Sequence, residues 1–60
     1  MISHNAALTV FTRAAEKVGG LDVLSQQLGV SVSTILRYME GDEPTPEAIY
    51  LRAVDIVLGE

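Results

Sequence analysis

Apolar positions recur at helical spacing in four stretches of this chain, and a glycine closes each one. Leu8, Phe11, Ala15 and Val18 stand at i, i+3, i+7 and i+10, which gathers them on one face. Thr12, Arg13, Glu16 and Lys17 fall largely on the other side. This predicts a first helix from about Ser3–Asn5 to Val18, with core residues drawn from the first set. Ser3 or Asn5 is placed to cap its start by accepting from a free backbone N–H. Gly19-Gly20 ends it. A second helix is expected over 21–28, with Asp22 in the first turn, where a carboxylate complements the positive helix end. Leu24 and Leu28 face the core, Gln26 and Gln27 face water, and Gly29 is the stop. Ser31 is the expected N-cap of a third helix over 32–40, terminated by Gly41. Gly41-Asp42-Glu43-Pro44 reads as a turn. Thr45 as N-cap and Pro46 as first helical residue open a fourth helix over 46–58, with Gly59 after it. No stretch alternates apolar and polar residues as a strand would, so the expected class is all-α, one small four-helix domain over 1–60.

The fourth helix is apolar most of the way round. Ile49, Ala53 and Ile56 form one stripe, Tyr50, Val54 and Val57 a second, and Leu51 and Leu58 extend the coverage. Only a strip through Arg52 and Asp55 is polar. A helix of this kind wants burial on more than one side. An interface is therefore expected through Tyr50, Leu51 and Leu58, either with a second copy or with further chain. If this helix is instead only the centre of the small core, Leu51 or Leu58 is left exposed.

Length and composition narrow the picture. Sixty residues is near the lower limit for independent folding, and such a chain buries only about 60% of its unfolded surface. There is no cysteine, which removes disulfides and thiolate metal sites. Packed helices, a partner subunit or a longer parent protein must supply the stability. No apolar run approaches the ~20 residues that span a bilayer, and the N-terminal residues lack the basic flank of a signal peptide. The expected compartment is the cytoplasm, without a membrane partner.

Catalysis is not expected. One histidine and scattered hydroxyls form no credible dyad, and His4 falls in a terminus expected to fray. The acidic residues Glu40, Asp42, Glu43 and Glu47 lack the spacing of a calcium loop. They read as a hydrated surface, so neither metal nor cofactor is expected. Arg13 and Lys17, at i, i+4, are either a phosphate grip or, with Glu16 beside them, a solubilising face.

Residues 21–40 have the spacing of a helix-turn-helix. Two short helices crossing steeply need a small residue midway along the first, which Ser25 supplies. They need a left-handed residue at the turn, which is Gly29. They also need apolar plugs in the wedge, here Leu24, Leu28, Val30, Ile35 and Tyr38. Leu24-Ser25-Gln26-Gln27-Leu28-Gly29-Val30-Ser31, followed by Ile35-Leu36-Arg37-Tyr38-Met39-Glu40-Gly41, a proline-containing loop and Ile49-Tyr50-Leu51-Arg52-Ala53-Val54, resembles the Cro/repressor-like (XRE) helix-turn-helix family. The resemblance covers roughly residues 8–58. It implies a lambda-repressor-like fold and a small transcriptional regulator, expected to be a homodimer, whose third helix enters the major groove of duplex DNA. Carried onto this chain, the contact residues are Gln26, Ser31, Val32, Ser33, Leu36 and Arg37. Serines would donate to phosphates or base edges, Arg37 would take a phosphate or guanine edge, and Val32 would touch a thymine methyl.

The charge supports a competing expectation. Four Lys and Arg against eight Asp and Glu give a net charge of −4, whereas DNA binders draw most of their affinity from basic surfaces. Val32, Leu36 and Met39 stand at i, i+4, i+7 as an apolar stripe on the side expected to face DNA. That combination fits an acidic protein–protein interaction module on the same fold. A third possibility is the N-terminal domain of a longer protein.

Overall fold

A computed structural model describes residues 2–59, which form four α-helices and no strand: α1 (His4–Val18), α2 (Leu21–Leu28), α3 (Val32–Glu40) and α4 (Glu47–Leu58). Serines start two of them. Ser3 Oγ accepts from the Ala6 N–H at 3.1 Å, and Ser31 Oγ accepts from the Thr34 N–H at 3.1 Å. Each such cap is worth about 1 kcal/mol. All four helices stop at a glycine in the left-handed region. At Gly29 (φ 74°) the chain turns by sending the N–H groups of Gly29 and Val30 back to the Ser25 carbonyl, at 2.9 and 3.2 Å. Two carbonyl-seeking donors meet one otherwise orphaned acceptor, so the α2–α3 connection needs only three residues.

The architecture is two helices packed between two others. α1 contacts all three of its neighbours, most extensively α4. α2 also reaches both α3 and α4, whereas α3 and α4 make no close backbone approach to each other. α3 and α4 are therefore outer elements separated by α1 and α2. Phe11, Leu24, Leu28 and Ile35 are the large side chains shut away from water, each contributing about 1.5–3 kcal/mol of burial. Tyr38 joins them, its ring stacked on Phe11 with centroids 6.0 Å apart. Val30 packs against this cluster from the α2–α3 turn. The accessible surface, 3723 Å², is close to the ~3,800 Å² of a compact 6.4 kDa protein.

Three expectations need correction. Leu8 is 44% exposed, and the buried residues of α1 are Ala7, Phe11 and Ala14. The buried face is thus turned by about 50°, at 100° per residue, toward Ala7 and Ala14; Ala53 of α4 is equally buried. Ala15 and Val18 remain at the margin, packed against the core. The fourth helix begins one residue late. Pro46 has extended ψ (139°) and is itself the cap residue, without a side-chain cap bond, while Thr45 is buried rather than capping. His4 is not frayed: it opens α1 and lies against Gly41, where an added Cβ would meet its ring carbon at 3.1 Å.

Candidate functional site

The exposed face of α3 follows from which side is buried. Ile35 and Tyr38 point into the core. The residues most nearly opposite, Ser33, Leu36, Arg37 and Glu40, stand at i, i+3, i+4, i+7 and are all exposed. Ser31 leads into this face, also exposed. Its hydroxyl lies 3.1 Å from Ser33 Oγ and 2.8 Å from Thr34 Oγ1, so three hydroxyls cluster at the helix start. Gln26 is exposed on α2. Of the six residues singled out for DNA contact, five are therefore exposed and Val32 is half-buried.

The apolar stripe does not survive as a single outward surface. Leu36 is 40% exposed, but Met39 is half-buried and packs against the core. Met39 also lines an open groove of about 350 Å³ with Ala15, Glu16, Gly20 and Leu21, at the junction of α1 and α2. At 100° per residue Met39 and Val32 lie about 40° and 60° from the buried Ile35, against about 100° for Leu36. The packing of α3 therefore covers the first two in part and leaves Leu36 in water.

Charge on this face and the loop after it is negative, with Arg37 set among Glu40, Asp42 and Glu43. The Arg37 guanidinium is 3.4 Å from a Glu43 carboxylate oxygen, with both side chains about half exposed. A contact this long and wet is worth little, about 0–1 kcal/mol, so Arg37 can leave it for a stronger anion. Glu40, on the same face, has no such alternative role and presents negative charge directly. On the far side of the molecule, Lys17 Nζ donates to the Val57 carbonyl at 3.1 Å. Lys17 thus ties α1 to the negative end of α4, a role that neither the phosphate grip nor the solubilising reading foresaw. Helix spacing alone gives no signal for a contact forty residues away in sequence.

Among the described residues no three His, Asp or Glu side chains are grouped to hold a metal ion, and no helix is long and apolar enough to cross a membrane. On α4, Tyr50 is half-buried, whereas Leu51 and Leu58 are the most exposed large apolar side chains among the described residues, at 51% and 63%. No protein-family model, curated protein or solved structure matches the chain significantly.

Proposed function

We propose that α2 and α3 work as a helix-turn-helix and that the domain is a small DNA-binding regulator, docking α3 on duplex DNA as a pair of copies, without catalytic activity. The observation that carries this reading is the seating of α3. It is buried at Ile35 and Tyr38 and packed at its edge through Met39, after a three-residue turn at Gly29, so Ser31, Ser33, Leu36 and Arg37 face outward on one rigid element with Gln26 on the helix before it. A helix so exposed over about two turns has the dimensions a major groove admits. Two copies double the few cations that one copy offers.

The test is a fluorescence-anisotropy titration with mixed-sequence duplexes at low salt. Binding is expected in the range of non-specific association, a Kd of about 10⁻⁴–10⁻⁶ M. Arg37→Ala should weaken it and lower the salt slope by about 1. No binding at several hundred micromolar protein would refute the DNA reading.

A second reading, a protein-interaction module using the same face, is favoured by the Arg37–Glu43 pairing and by the exposure of Leu36 beside Glu40. Under it, Leu36→Asp abolishes binding of a protein partner, and α3 resonances do not shift on adding DNA.

A further inference from the structure

We propose that the pocket between the start of α1 and the α3–α4 loop binds a small apolar α-amino acid, its carboxylate against α1 and its ammonium against Glu43. The pocket holds about 350 Å³ and brings Ser3 and His4 together with Gly41, Glu43 and Thr45. Thr45 is the residue that points to a ligand. It is buried, at 9% exposure, and its hydroxyl bonds to no described residue. No fully enclosed side-chain oxygen or nitrogen lacks a partner among the described residues. The Thr45 oxygen therefore keeps a narrow opening, and the opening that Thr45 borders is this pocket. A buried hydroxyl without a partner is costly, and valine has the same shape without that cost. The hydroxyl is favourable here once a molecule in the pocket bonds to it.

The two sides of the pocket define the two charges of the ligand. α1 has no carboxylate in its first turn, so nothing in the helix itself offsets its positive end. Ser3 takes the Ala6 N–H on its hydroxyl and the Ala7 N–H on its carbonyl. The N–H groups of His4 and Asn5 are left without an acceptor among the described residues. That helix end, with the Thr45 hydroxyl facing it across the pocket, suits a carboxylate. Glu43 stands on the other side. Its contact with Arg37 is 3.4 Å long and about half exposed, weak enough for Glu43 to take an ammonium group as well. A plain anion would be repelled by Glu43, and a plain cation by the helix end. A molecule with both charges a short distance apart satisfies the two sides together. Ile2 and Pro44 add apolar wall, which suits an aliphatic side chain. This site goes beyond the DNA reading and stands without it, because no nucleic acid takes part.

L-Leucine is the probe. Titrated into ¹⁵N-labelled protein without DNA, it should shift the amide resonances of His4, Asn5 and Thr45 saturably. The expected Kd is about 0.1–10 mM, the range open to a ligand this small. Leucinamide, which lacks the carboxylate, and N-acetylleucine, which lacks the ammonium, should each bind at least about tenfold more weakly. Thr45→Val and Glu43→Gln should each weaken leucine binding at least about fivefold, with the helical circular dichroism unchanged. Glu43 lies near the surface, so its variant keeps the test open if Thr45→Val fails to fold. The absence of any saturable shift at about 50 mM leucine, well above that range, overturns the proposal. So does leucinamide binding as tightly as leucine, which reduces the site to an acidic patch. N-acetylleucine binding equally well overturns it too, by reducing the site to a helix end. Unchanged leucine affinity in Glu43→Gln places the binding elsewhere and has the same consequence.

Discussion

Replacing Gly29 with alanine isolates the energetic role of the α2–α3 turn. Gly29 has φ +74°, and a Cβ built on it meets nothing within 4 Å. The substitution therefore carries no steric term, only the cost of holding an L-residue in the left-handed region, about 1–2 kcal/mol. A chain of this size is stabilised by about 3–5 kcal/mol in total, so roughly a fifth to two thirds of its stability is at stake. With a urea m-value of about 1 kcal/mol/M, at the lower end for small proteins, the unfolding midpoint should fall by about 1–2 M. Circular dichroism at the helical minimum, followed through a urea titration, reads this directly. Gly29→Asn is the companion variant. Asparagine visits the left-handed region more readily, so its loss should be visibly smaller than that of alanine. Two results would refute the reasoning. Unchanged midpoints for alanine would mean the turn can reform without a left-handed residue. Equal losses for alanine and asparagine would mean that something other than backbone conformation is being measured.

Two further outcomes follow from the core and from the acidic surface. Phe11→Ala removes the ring that stacks on Tyr38 at the centre of the cluster; a loss of about 3–5 kcal/mol matches the whole stability, so the variant should lack a cooperative thermal transition at room temperature and above, whereas Phe11→Leu should retain one. Glu43→Gln releases Arg37 from its 3.4 Å partner and should leave stability within about 0.5 kcal/mol of wild type. If α3 binds DNA, it should also tighten low-salt binding; weaker binding to this variant in the anisotropy titration would contradict the electrostatic account.

Much of this fold was legible because its punctuation is local. Glycine at the helix ends and serine before α3 act through their own backbone neighbourhoods, so reading them needs no knowledge of tertiary contacts. Large core residues were legible for a related reason, since Phe11, Leu24, Leu28, Ile35 and Tyr38 recur at helical spacing. Small ones were not. Ala7, Ala14 and Ala53 carry little hydrophobic signal, yet they are fully buried, and giving Leu8 precedence over the alanines of α1 turned the expected face the wrong way. The start of α4 was misjudged by one residue because Thr45 has the chemistry of a cap but its side chain is buried. At the candidate site, periodicity identified which α3 residues share an angle. Treating Val32, Leu36 and Met39 as one outward stripe overlooked the spread within it: Met39 is about 40° from the buried Ile35 and Leu36 about 100°. The contacts Arg37–Glu43 and Lys17–Val57 join residues brought together by a turn or by the whole fold, beyond the reach of any local pattern.

The glycine stops described above also bear on how quickly the molecule can form. Because each helix end is dictated by a residue at that end, the lengths of α1 to α4 are settled before any two of them meet. The search that remains is the docking of four pre-sized rods joined by short connections, with no strand pairing to register. Chains dominated by such near-neighbour contacts reach the native state in about microseconds to milliseconds. A domain this small, folding on that timescale, can also unfold and refold many times in its working life. Transient opening, rather than any lid or hinge, then becomes the motion that gives proteases access to its backbone.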